Sequence, residues 1–115
     1  MNITDIKEIL SAKMLVCKET EREILCACGS DLMSDVLAYV KEQAVLLTGL
    51  TNPHVIRTAE MLDVWAIVFV RGKMPTNDIL DMASERNIAV MTTNYTLYEA
   101  CGRLYKTGLP PCGIV

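Results

Sequence analysis

Aromatic residues are scarce in this chain: one Trp, four Tyr and one Phe make up 5% of 115 residues, against an apolar share of 51%. An interior with so few rings has to be assembled from Val, Ile, Leu, Ala and Met. Histidine is represented by His54 alone, so one chain cannot build a histidine-based metal cluster, and no metal site is expected. Basic clusters are missing too. Eleven Lys and Arg stand against fourteen Asp and Glu, a net charge of −3 with no basic stripe. Sequence-independent affinity for nucleic acid needs many cations on phosphates, so no nucleic-acid partner is expected.

The apolar run over residues 64–70 is far too short for a bilayer, which takes about 20 such residues. Asp5, Lys7 and Glu8 interrupt any apolar segment of a signal peptide near the amino terminus. No membrane partner is expected, and the chain is placed in the cytoplasm. Neither G-x-x-x-x-G-K-[ST] nor G-x-G-x-x-G occurs, which leaves a P-loop kinase and a Rossmann dehydrogenase without their phosphate cradles. No cofactor is expected. The five cysteines (Cys17, Cys26, Cys28, Cys101 and Cys112) are odd in number, as a reducing compartment permits. Cys26 and Cys28, one residue apart, lack metal-site spacing, and strand alternation sends both toward the core.

What is present is an alternation of strand and helix. Residues 4–11 read as a short helix with Thr4 as N-cap, and 14–17 as a strand. The charged stretch 18–23 reads as a solvated loop, and 24–28 as a second strand. Ser30 or Asp31 is predicted to cap a helix through Tyr39 that Lys41 and Glu42 close. Residues 44–47 form a continuous apolar strand, as expected of one buried on both faces. Asn52 and Pro53 open the next helix, since Asn accepts orphan backbone donors and Pro lacks an amide there. The strand 64–70 is expected to be central, with Trp65 in the core. A helix over 75–86, a strand over 88–91 and a helix capped by Thr93 or Asn94 follow, with Gly108 ending the last and a tail from Cys112. The expected architecture is three-layer α/β/α, one domain spanning residues 1–115, with a mostly parallel sheet of four to five strands.

In such a sheet the turns after the strand carboxyl ends share one edge, where ligands of open α/β sheets bind. Four turns converge there: Gly29, Ser30 and Asp31; Thr48, Gly49, Thr51 and Asn52; Arg71, Gly72 and Lys73; Thr92, Thr93, Asn94 and Tyr95. Glycines, hydroxyls, amides and two cations suit an anion. The same residue types also cap helices and form tight turns, so both readings stand. No catalytic constellation is visible: His54 follows a turn as a capping or surface residue, and the carboxylates fall on outer helix faces. Tyr95, Tyr98 and Tyr105 lie along the final helix, either as packing or as a dimer surface.

The segments Leu47-Thr48-Gly49, Ala66 to Val70 running into Arg71-Gly72, Pro75 to Leu80, and Thr93 to Ala100 resemble those of a DRTGG domain. That small α/β module is also similar to the N-terminal domain of HPr kinase/phosphorylase and to the middle of some phosphotransacetylases. The string Asp-Arg-Thr-Gly-Gly itself does not occur, and Arg71-Gly72-Lys73 stands where a Gly-rich turn is expected. The resemblance implies a regulatory or associating module, generally dimeric, with no defined activity of its own. Together with the convergent turns it leads to the expectation of a non-enzymatic module that self-associates and senses a small anionic metabolite or nucleotide at the four-turn edge. The alternatives are a small transferase using Asp31, His54 or Arg71, and a docking subunit of a partner enzyme or signalling protein.

Overall fold

A computed structural model of the chain describes residues 1–40 and 43–112. The expected helix closure at Lys41 and Glu42 and the tail after Cys112 lie outside the described residues. In chain order the elements are α1 (Ile3–Ile9), β1 (Lys13–Val16), β2 (Cys26–Gly29), α2 (Met33–Tyr39), β3 (Ala44–Thr48), α3 (Pro53–Met61), β4 (Val64–Phe69), α4 (Asn77–Glu85), β5 (Ala89–Thr92) and α5 (Leu97–Lys106). The sheet runs β1-β5-β4-β3-β2. β2 to β5 are parallel, and β1 lies antiparallel on β5. This is the α/β architecture read from the continuous apolar strands: every residue of β3 is buried, as is nearly all of β4, and such strands need a helical layer on each face.

The layers divide by strand alternation. Leu46, Ile67 and Phe69 face Val36 of α2, Ile56 of α3 and Ile79 of α4. Val45, Leu47, Val68 and Met91 face Ile3 and Ile6 of α1 and Ala100 and Leu104 of α5. The three helices that join consecutive parallel strands therefore share one face, and after β5 the chain returns to the face that α1 already covers. Adjacent strands β4 and β5 send their connections to opposite faces, the arrangement that opens a crevice in an open α/β sheet.

Helix starts follow local chemistry in part. Asn52 Oδ1 accepts from the His54 amide (3.0 Å) with Pro53 at the first helical position, as expected. α1 is capped by Asn2 in a capping box with Asp5, rather than by Thr4. α2 begins at Met33 behind Leu32, with no side-chain cap, because Asp31 is bonded elsewhere and Ser30 Oγ accepts from the Leu32 amide (3.0 Å). α5 is capped by Thr96, whose Oγ1 accepts from Glu99 N, rather than by Thr93 or Asn94. Trp65 is half-buried rather than core, with the Arg22 guanidinium 3.9 Å from its ring centroid. The charged loop is thereby pinned to the sheet.

The carboxyl-terminal segment departs furthest from expectation. Ala27 N donates to Pro110 O (2.9 Å) and Cys112 N donates to Ala27 O (3.0 Å), so residues 110–112 lie along edge strand β2. Cys26 and Cys112 form a disulfide, and Cys17, Cys28 and Cys101 are free. Cys112, expected to open a tail, thus lies beside β2 and is joined to Cys26. A covered edge also removes a template for unwanted strand pairing.

Candidate functional site

The four predicted turns meet at the carboxyl edge of the sheet because parallel strands of matched register end together. Thr48 pairs with Phe69, and Phe69 with Thr92. The turn after β2 reaches the turn after β3 through Asp31. Its Oδ1 accepts from the Thr48 hydroxyl (3.0 Å) and from the Gly49 amide (2.6 Å), and Thr48 Oγ1 in turn accepts from the Leu50 amide (3.1 Å). The Asp31 carboxylate therefore occupies donors that an exogenous anion would otherwise meet, and it fixes the loop carrying Thr51 and Asn52.

The turn after β4 is tighter. Lys73 N donates to Val70 O (3.1 Å), and Arg71 and Gly72 have φ of 58° and 67°, a type I′ geometry. Glycine adopts this region freely, whereas an L side chain there costs roughly 1–2 kcal/mol. Arg71 is held in it by docking: its amide donates to Tyr95 O (2.8 Å), and the Gly72 amide donates to Thr93 O (2.8 Å). These bonds lock the turn after β4 onto the turn after β5, across the crevice where the connections diverge. The Arg71 side chain lies over Gly49, its guanidinium where a Cβ at that position would stand. Arg71 and Lys73 are exposed, and neither makes an ion pair among the described residues.

The remaining predicted residues support this frame. Thr92 Oγ1 donates to Lys73 O (2.8 Å), and buried Thr93 Oγ1 donates to Leu10 O (2.7 Å), tying the edge to the end of α1. Asn94 is exposed beside Gly72, and Tyr95 is half-buried with the Arg103 guanidinium 4.2 Å from its ring centroid. Gly29 and Ser30 sit at the far end of the row, near β2. His54 is exposed on the first turn of α3, and its ring makes no hydrogen bond among the described residues. No cluster of three metal-ligating side chains occurs among the described residues.

A second feature was only half legible in the sequence. An apolar groove of about 380 Å³ runs between α5, β2 and the carboxyl-terminal segment, lined by Tyr98, Cys101, Gly102, Tyr105, Leu109 and Pro111 among others. Tyr98 and Tyr105 are 91% and 71% exposed, so the tyrosine stripe points outward. Cys101 Sγ approaches Gly29 so closely that a Cβ there would lie 2.5 Å away. Burial pushes the Cys101 thiol pKa up. Burial, then the nearby Cys101 sulfur and Asp35 carboxylate, does the same to Cys28. Gly102 was the available signal: a glycine inside a helix is unfavourable and needs a reason. A Cβ at Gly102 meets nothing within 4 Å. Gly102→Ala is expected to raise stability by about 0.5–1 kcal/mol in denaturant titration, while narrowing the groove between the two tyrosines.

Against known proteins, the family model described as the DRTGG domain matches residues 5–107. The chain belongs to the DRTGG domain family. A solved structure of the regulatory region of Clostridium perfringens pyrophosphatase, comprising CBS and DRTGG domains complexed with the activator diadenosine tetraphosphate, superposes with a TM-score of 0.74 at 18% identity. The match covers 95% of this chain and 47% of that one, so the DRTGG chain spans about half of that regulatory region. At this identity the likeness speaks for the fold. No curated protein matches. No helix among the described residues is long and apolar enough to cross a membrane.

Proposed function

We infer that this DRTGG protein is a non-enzymatic regulatory module of the cytoplasm, folded as one domain, that binds a small anionic metabolite or nucleotide at the β4–β5 crevice. The observation that carries the reading is Arg71. A cation kept in an unfavourable backbone conformation by two main-chain bonds, without a carboxylate partner among the described residues, is suited to receive an anion. Lys73, the Gly49 loop and Asn94 surround it. Membership of a family represented in the regulatory region of an enzyme, in a complex with a dinucleotide activator, supports a nucleotide as the ligand and an enzyme as the regulated partner. That complex contains CBS as well as DRTGG domains, so the assignment has to be tested on this chain. The transferase alternative draws on Asp31 and His54. Asp31 is committed to Thr48 and Gly49, and His54 has no orienting partner among the described residues.

The test separates binding from folding. Asn accepts the left-handed conformation that Arg71 adopts, so Arg71→Asn should leave stability unchanged or raise it by up to about 1 kcal/mol. Diadenosine tetraphosphate or ATP near 100 times its dissociation constant should stabilise the wild-type chain by about 2.7 kcal/mol. Arg71→Asn should abolish that thermal shift. A shift that survives in the variant, or no shift in the wild type with any nucleotide, would overturn the site. The outward tyrosines support a homodimer through α5. Gly102→Ala should then weaken association in sedimentation equilibrium.

A further inference from the structure

The geometry points to Cys26 and Cys112 as a reversible thiol–disulfide site whose redox state decides whether residues 110–112 stay docked on β2. Three observations converge. The disulfide joins the first residue of an edge strand to the last described residue of the segment covering it. Two main-chain hydrogen bonds, Ala27 N to Pro110 O and Cys112 N to Ala27 O, are the segment's ladder contacts with the sheet. Pro111 of this segment lines the tyrosine groove, beside Leu109, which is buried and bonded to the end of α5. Two ladder bonds on a sheet edge hold a short segment weakly without a covalent tie, because short edge pairings open at low free-energy cost. The bond is therefore what keeps Pro111 in the groove wall.

The exchange is written with a dithiol as reductant. Its thiolate attacks one sulfur of the Cys26–Cys112 bond, forming a mixed disulfide and releasing the other cysteine, which takes up a proton. The second thiol of the reductant, as thiolate, then attacks the mixed disulfide. The remaining cysteine leaves and is protonated, and the reductant departs as a cyclic disulfide. Two electrons and two protons have passed to the protein. Both sulfurs belong to residues only 7% exposed, so attack follows fraying of the segment. Cys28, two residues along β2 on the same sheet face, does not supply the thiolate. Burial holds its thiol protonated, and a protonated thiol is a poor nucleophile. The electrons come from outside, as in a sensor read by the cell's thiol pool. This inference goes beyond ligand binding at the β4–β5 crevice and does not depend on it.

The experiment uses the full chain. Purified without reductant, denatured and treated with N-ethylmaleimide, it should carry three labels, one for each free cysteine, and five after dithiothreitol. In native hydrogen exchange, reduction should speed the amides of Ala27 and Cys112, the two that pair the segment with β2, by about tenfold or more, with Leu109, β3 and β4 unchanged. Cys112→Ser should exchange fast with or without dithiothreitol, and Cys17→Ser should keep the wild-type response. Five labels before reduction, or a segment whose exchange ignores reduction, would overturn the proposal. The wild-type comparison decides alone if Cys112→Ser does not fold.

Discussion

Phe69→Ala is expected to lower unfolding free energy by about 3–5 kcal/mol, which at this chain length moves the melting midpoint down by roughly 12–20 °C. Phe69 is the one phenylalanine of the chain and is fully buried on central strand β4. It packs in the layer between the sheet and helices α2 to α4. With so few rings elsewhere, truncating it leaves a void that small aliphatic neighbours already in place cannot fill. Its position adds a functional consequence. Phe69 pairs with Thr48 on one side and Thr92 on the other, and its carbonyl accepts from the Thr93 amide (2.9 Å). A cavity there loosens the floor under three of the four converging turns, so the nucleotide affinity proposed for this edge should fall even at temperatures where the variant is folded. Phe69→Leu serves as the control, since a partial apolar truncation leaves a smaller void and costs less than the full one. Denaturant titration of the pair checks both values, and a loss below about 1 kcal/mol for Phe69→Ala would contradict the packing described.

The residues that were legible in the sequence are those whose structure is decided by near neighbours. The β3 and β4 runs could only be strands buried on both faces, and Asn52-Pro53 could only open a helix, because the donor being capped lies two residues away. The convergence of the four turns followed from parallel strands alone. What was misread depends on partners far along the chain. Asp31, with Ser30 a candidate cap of its own helix, instead sends its carboxylate to Thr48 and Gly49. Thr93, with Asn94 a candidate cap of α5, instead donates its hydroxyl to Leu10, 83 residues earlier. In each case a residue type favoured at helix starts has an alternative partner that only the assembled sheet provides. The left-handed Arg71 was invisible for the opposite reason. Arginine disfavours that conformation, and what imposes it is the docking of the turn onto the carbonyls of Thr93 and Tyr95.

Loss of the Cys26–Cys112 bond is expected to cost about 3–4 kcal/mol of stability, roughly 12–16 °C in the melting midpoint, whether by reduction or in Cys112→Ser. The cysteines are 86 residues apart, so the bond closes a loop spanning most of the chain. A loop of that length restricts the unfolded ensemble strongly, by about 4–5 kcal/mol in the chain-entropy model, with the observed yield usually smaller. The native core loses little in exchange. Cys26 and Cys112 share a core with Val36, Leu46, Ile56 and Phe69, whose packing is expected to persist without the sulfur bond. The effect therefore lies mainly in the unfolded state, and that carries its own signature. Reduction should raise the denaturant m-value, because the freed chain exposes more surface when it unfolds. A midpoint loss with an unchanged m-value would assign the cost to native contacts instead. Faster hydrogen exchange confined to Ala27 and Cys112 together with a raised m-value would show a domain that stays folded when reduced while the segment on its edge strand opens. That combination is what a redox-responsive edge requires: a tie whose removal leaves the central strands and the β4–β5 crevice standing.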